Sequence, residues 1–170
     1  MTIKIRPLDP NDDRSAFFSG DEALDLFFHR YAGQNQFRHH IGVNYVALDN
    51  DRIIGFVTVT PALLDADTAP TQKRMPPYPL PVLRLARLAV HKDLQERGIG
   101  RILLKFSLEL AQKMQGEIGC VGVLVDAKPH AVLFYEKYGF AKIDVLEGQL
   151  ATTPRSVEMY LPLGSIPHSR

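Results

Sequence analysis

The strongest constraint on the fold is one continuous stretch, residues 82–126. It opens with "VLRLARLAV", an apolar run interrupted only by Arg84 and Arg87, which reads as a strand. It then passes through "QERGIG", Gln95 to Gly100, into "GIGRILLKFSLELAQKM". There Ile99, Leu103, Phe106 and Leu110 keep the 3.6-residue period of a helix, and Lys105, Glu109 and Lys113 lie off that stripe. The stretch closes on "CVGVLVD", short and almost wholly apolar, as in the middle of a sheet. Strand, glycine turn, amphipathic helix and buried strand in succession call for an α/β architecture.

The flanks extend it. "IKIRPL" alternates and reads as a first strand. "SGDEALDLFFHRYAGQNQFRHH" reads as a helix, with Leu24, Phe27, Phe28 and Tyr31 on one stripe and Ser19 with Glu22 as a capping box. "VNYVAL" and "IIGFVTVT" read as antiparallel strands joined at the turn signal "DNDR". "PALLDADTAPTQKRMPPYPLP" holds six prolines and reads as a loop, because proline lacks the N–H a ladder needs. "PHAVLFYEKYG" is a short helix opened by Pro129 and closed by Gly139. "FAKIDVL" and "SVEMYLPL" are the last strands. The order β–α–β–β–β–α–β–α–β–β describes a mixed α/β (α+β) sheet with helices on its faces, and no domain boundary is visible over residues 1–170.

Composition narrows the class. Hydrophobic residues at 45% support a real core, and no long apolar run suggests a membrane span. The N-terminus lacks a signal-peptide core, so a cytoplasmic location is expected. The one cysteine, Cys120, has no internal partner for a disulfide and sits in an apolar run, where it reads as a small buried residue. The formal charge of +1 does not by itself ask for a nucleic-acid partner. His39 and His40 lack metal-ligand spacing with any Cys or second His pair, so no metal is expected.

"QERGIG" has two readings. The glycines suit a tight strand–helix turn. They also suit an anion site: the first amides of a helix lack internal partners, the macrodipole adds positive charge, and Gly98 and Gly100 carry no side chain to hold an anion away. Arg97 and Arg101 add charge nearby. Neither the dinucleotide G-x-G-x-x-G fingerprint nor a Walker A pattern is present.

Taken together, "RLAV", "QERGIGRILL" and "GCVGVLVDAKPHAVLFYEKYGF" resemble the GCN5-related N-acetyltransferase (GNAT) superfamily. Gln95, Gly98 and Gly100 match its Gln/Arg-x-x-Gly-x-Gly/Ala turn, and Ala131, Tyr135, Gly139 and Phe140 match its second signature. The resemblance implies a single N-acetyltransferase domain with a six- to seven-stranded mixed sheet, about four flanking helices and a splay between strands 4 and 5. It implies acetyl-CoA as co-substrate. The pyrophosphate would be held by Gln95, Arg97, Gly98, Gly100 and Arg101, and the pantetheine arm by backbone groups of Leu88, Ala89 and Val90. Lys128 stands where the superfamily often has Asn, seven residues before the tyrosine, and by that position is a further cofactor-binding candidate, beside the pantetheine arm. Read as residues alone, Tyr135 is a packing position on an amphipathic helix; the resemblance makes it the general acid that protonates the leaving thiolate.

The N-terminal half is similar to one branch of the superfamily, the acetyltransferase toxins of toxin–antitoxin modules. Ser19, Gly20, Leu24 and Asp25 after a phenylalanine match its first element, and Pro79, Pro81, Arg87, Leu88, Ala89 and Val90 its second. That branch implies acetylation of the α-amine of aminoacyl-tRNA, a ribbon–helix–helix antitoxin and a possible homodimer. Candidate tRNA contacts are Arg38, Arg84 and Arg87, with Arg30, Lys73, Arg74, Arg97, Arg101, Lys142, His39 and His40 as further cations. Arg84 and Arg87 lie three apart on a strand and so point to opposite faces. The alternatives are an N-acetyltransferase of a small amine, polyamine or protein N-terminus, and a non-catalytic acetyl-CoA-binding regulatory module.

Overall fold

The computed structural model describes residues 1–69, 75–143 and 156–165. The strands are β1 (Ile3–Pro7), β2 (Val43–Asp49), β3 (Arg52–Leu64), β4 (Leu80–Val90), β5 (Gly122–Ala127), β6 (Ala141–Lys142) and β7 (Val157–Pro162). The α-helices are α1 (Glu22–Leu26), α2 (Ile99–Glu117) and α3 (Val132–Lys137). The strands lie in the order β1-β2-β3-β4-β5-β7-β6, a mixed sheet in which β4 and β5 run parallel. A parallel pair needs a crossover longer than a hairpin, and α2 occupies it. The order of elements is the one expected from the sequence. The chain groups into two compact units, 1–60 with 85–107, and 61–84 with 108–170.

In the first unit, β1 pairs antiparallel with β2, and β2 with β3. Asn50 and Asp51 join β2 to β3 with φ of 47° and 66°. Positive φ at both central residues is what a tight hairpin with the sheet's twist requires, and Asn and Asp tolerate it. Helix α1 is capped by Asp21, whose side chain accepts from the Ala23 and Leu24 amides. This corrects the expected Ser19–Glu22 capping box. Ser19 instead gives its hydroxyl proton to Asp25 and accepts from the Asp21 amide, which places Asp21 at the cap.

The helical path continues past α1 in two π-helical turns, Phe27–Tyr31 and Gln34–Arg38. A π turn bonds i to i+5, which rotates later residues off a 3.6-residue stripe. Leu24, Phe27 and Phe28 are buried as expected, but Tyr31 is 42% exposed, and Ala32 takes the inward place. The Ala32 amide bonds to the Phe27 carbonyl, one π turn back. The core gathers around Phe28, which stacks on Phe56 at 4.3 Å and meets the edge of Phe17 at 5.0 Å. Such aromatic pairs contribute about 0.5–1.5 kcal/mol each beyond their burial. Ile99 and Leu103 of α2 are buried here, and so is Ser107, which hydrophobic spacing passes over; its hydroxyl donates to the Leu103 carbonyl.

In the second unit, β5 pairs antiparallel with β7, setting Leu124 opposite Tyr160 and Asp126 opposite Glu158. Leu64, Val82, Leu124, Ile143 and Tyr160 form its core. Strand β3 runs on to Leu64, so the first residues of the proline-rich segment are strand rather than loop. Pro61 sits near a strand end, where a missing donor is tolerated. Of the expected strand 140–146, Ala141–Lys142 is strand, and residues from 144 lie outside the described ones. Cys120 is buried as read, and burial pushes its thiol above the ordinary range.

Gly122 lies against the hydroxyl end of the Tyr160 ring, which an added Cβ would overlap. Overpacking of a closed core typically costs about 1–3 kcal/mol. Gly122→Ala is therefore expected to lower the unfolding free energy by that amount, read as a lower denaturant midpoint at an unchanged m-value, whereas an unchanged midpoint would show that Tyr160 moves aside freely.

Candidate active site

Three contacts in the first unit hold the end of β4 and the turn after it. The His91 amide bonds to the Ile54 carbonyl, and the Lys92 amide to the Phe18 carbonyl. The His91 ring Nδ1 accepts from the Asp93 amide at 3.2 Å and caps the short 3₁₀ turn Lys92–Leu94. Gln95 then donates from its side-chain amide to the Ser19 carbonyl at 2.8 Å and the Val90 carbonyl at 3.1 Å. Gln95 was expected among the anion-binding residues; its side chain braces the turn, fastening it to the strand that precedes it.

Beyond Gln95 the backbone enters the left-handed region twice, at Glu96 with φ 64° and Gly98 with φ 84°. At Gly98 this conformation suits glycine. A Cβ built there meets nothing within 4 Å, so the space beside the turn is open. Helix α2 begins at Ile99, one residue later than its expected start, and its first turn closes with the Ile102 amide on the Gly98 carbonyl at 3.1 Å. The amides of Ile99, Gly100 and Arg101 precede any intrahelical acceptor. Arg97 and Arg101 are exposed beside them. Open space, free amides, the positive end of a 19-residue helix and two arginines fit a diphosphate. Of the three pantetheine candidates, Ala89 is buried, while Leu88 and Val90 are half-buried.

The same unit holds other expected cations. The Arg87 guanidinium lies 3.5 Å from the centre of the Phe27 ring, a cation–π contact that accounts for a charge in an apolar strand. Arg30, Arg38, His39 and His40 are exposed along and after the π-helical turns. Lys73 and Arg74 lie outside the described residues.

The second unit holds Tyr135, on α3. The ring is 5% exposed and meets the edges of Phe134 at 5.2 Å and Phe140 at 5.4 Å. Burial, and then the charge of Asp126, push its hydroxyl well above the ordinary tyrosine range. The phenol therefore keeps its proton at any physiological pH, the state a proton donor must hold. Lys128 caps the 3₁₀ turn Pro129–Ala131 that leads into α3, and its carbonyl accepts from the Ala131 amide. Tyr138 is half-buried against the edge of Phe134, the structural place expected for it. Lys142 is exposed.

Arg84 belongs to this unit and is engaged. Its Nε and Nη2 lie 2.8 and 2.6 Å from Oδ2 of Asp126, and Nη2 lies 4.0 Å from Glu158. Sequence reasoning passed over both carboxylates. The signal was present: an arginine inside one apolar strand and an aspartate inside another each need a partner, and each supplies the other. Among the described residues no group of three or more His, Cys, Asp or Glu side chains could hold a metal ion.

The acetyltransferase (GNAT) domain family matches residues 40–142, more than half of the chain. The chain belongs to the GNAT acetyltransferases. This GNAT acetyltransferase is 31% identical over 139 residues to the tRNA-acetylating toxin of Mycobacterium tuberculosis (strain ATCC 25618 / H37Rv), a match spanning 79% of this chain and 82% of that one. Its fold is that of AtaT complexed with acetyl-methionyl-tRNAfMet, with a TM-score of 0.83 at 24% identity over 96% of both chains. AtaTR bound with AcCoA is similar with a TM-score of 0.79 at 25% identity, over 96% of this chain and 95% of that one. As a GNAT acetyltransferase it uses acetyl-CoA, whose thioester supplies the activated acetyl group. The match begins at residue 40, so β1 and α1 lie before it.

Proposed function

We propose that this acetyltransferase modifies the α-amine of the amino acid on charged tRNA, and that it acts as a toxin that blocks translation in the cytoplasm. The observation that carries the reading is the 31% identity, over about four-fifths of both chains, to a tRNA-acetylating toxin. The residues singled out by the family resemblance are consistent with it. The amides of Ile99, Gly100 and Arg101, with the guanidinium groups of Arg97 and Arg101, hold the diphosphate of acetyl-CoA. Backbone groups of Leu88 to Val90 align the pantetheine arm. Tyr135 gives its proton to the departing sulfur, whose thiol has an ordinary pKa of about 8.5. The acceptor α-amine, with an ordinary pKa of about 8, is partly neutral near pH 7 and can attack without a strong base. Exposed Arg30 and Arg38 are suited to tRNA phosphates. Residues 1–170 act as a single catalytic domain, and a ribbon–helix–helix antitoxin and a second copy of the chain are its proposed protein partners.

The test is mass spectrometry of total charged tRNA after incubation with the enzyme and acetyl-CoA. A gain of one acetyl group on the aminoacyl ester is expected. An unmodified aminoacyl-tRNA pool, with turnover on polyamines or a peptide N-terminus, would assign the enzyme to a different acceptor.

A further inference from the structure

Arg84 was a candidate for tRNA phosphate, yet the second unit gives it another occupation. Its guanidinium places Nε and Nη2 on a single oxygen of Asp126, and both side chains are mostly shielded, at 36% and 19% exposure. Asp126 is the penultimate residue of β5, held in register opposite Glu158. From it the chain passes through Ala127, Lys128 and the 3₁₀ turn directly into α3 and Tyr135. The pair thus fixes the root of the segment that carries the tyrosine. It also sets the charge there: Asp126 alone would be an unpaired, part-buried carboxylate.

We propose that Arg84 is a positioning residue for acetyl transfer, pairing Asp126 at the end of β5 so that no bare carboxylate is left at the root of the segment that carries Tyr135. The inference rests on the reading of Tyr135 as proton donor. In that step the acceptor nitrogen forms a bond to the acetyl carbon and the carbon–sulfur bond breaks. The proton moves from the Tyr135 oxygen to the sulfur, and the phenolate recovers one from the ammonium formed on the acceptor. A negative charge thus builds transiently on the phenol. A bare carboxylate at the root of this segment disfavours that charge, and a paired one disfavours it less. The upward push that Asp126 exerts on the Tyr135 hydroxyl is in the same direction.

The test is a kinetic cycle on the full chain with acetyl-CoA and charged tRNA, varying each substrate. Arg84→Met is expected to lower kcat about tenfold, the equivalent of one pKa unit in the donor, with both KM values within about twofold. Arg84→Met/Asp126→Asn, which removes both charges, is expected to recover most of that loss, and Arg84→Lys to fall between. In a Tyr135→Phe background Arg84→Met is expected to change kcat no further. Thermal melts of each variant separate misfolding from chemistry, and the double variant keeps the cycle readable if the single one is unstable. An intact kcat with a raised KM for charged tRNA would make Arg84 a phosphate contact and overturn the inference. So would a kcat loss that Asp126→Asn does not relieve. Wild-type turnover by Tyr135→Phe would remove the proton-donor reading itself, whereas lost turnover there with no relief in the cycle overturns the role of Arg84 alone.

Discussion

Tyr135→Phe is expected to lower kcat by about 10²- to 10⁴-fold, the usual contribution of a positioned general acid. The substitution removes one oxygen and keeps the ring, which remains packed against the edges of Phe134 and Phe140. Stability should therefore change by no more than about 1 kcal/mol, the net worth of a typical hydrogen bond. KM for acetyl-CoA should hold, because diphosphate contacts at the start of α2 are untouched. The pH dependence separates the two proton transfers. The Tyr135 hydroxyl is pushed up by burial and by Asp126, so it stays protonated and contributes no alkaline limb in an ordinary assay range. The acceptor amine has the opposite sign, and the rate should rise as pH climbs through about 8 and the amine loses its proton. That rise should survive in Tyr135→Phe at a lower plateau. Full turnover in the phenylalanine variant would return Tyr135 to the role of core residue.

The second large effect is at Gly98. Its φ of 84° is strained for most side chains, while the space beside it is open, so a substitution there acts through the backbone and through whatever it projects into that space. Asn and Asp tolerate left-handed backbone better than other residues and are nearly equal in size. Comparing Gly98→Asn with Gly98→Asp isolates charge. A carboxylate beside the first turn of α2 favours the helix by about 0.3–1 kcal/mol, so the aspartate variant should be at least as stable as the asparagine one. It should nonetheless bind acetyl-CoA more weakly, by about tenfold or more, since like charges would then share the anion site at some 4 kcal/mol per close pair near a protein surface. The difference should shrink at high salt as the charges are screened. Calorimetric titration with acetyl-CoA reads it directly. Equal affinities for the two variants would place the diphosphate elsewhere.

How far the sequence carries the reading depends on which force decides each element. Periodicity marks β1 to β5, α2 and α3 because burial of alternating or 3.6-spaced apolar residues determines them. It misplaces Tyr31 because a π turn changes the period within a helix, and nothing in "FFHRYAG" announces the change. It places the start of α1 by a Ser–Glu pattern, whereas Asp25 draws Ser19 away and leaves Asp21 as the cap. It stops β3 at Pro61, although the strand continues to Leu64. The glycine turn was legible in its spacing, but the role of Gln95 as a brace was not, since its acceptors are the carbonyls of Val90, five residues away, and Ser19, far off in the chain. Arg84 and Arg87 were each legible as a charge needing a reason. The reasons, Asp126 for one and the Phe27 ring for the other, are long-range contacts that a single sequence does not display.

The most direct measurement is a crystal structure of the chain with coenzyme A. The expected result is a diphosphate within hydrogen-bond distance of the backbone amides of Ile99, Gly100 and Arg101, with Gly98 still in the left-handed region. A coenzyme bound with its diphosphate away from those amides, in a crystal where the turn is open to solvent, would contradict it.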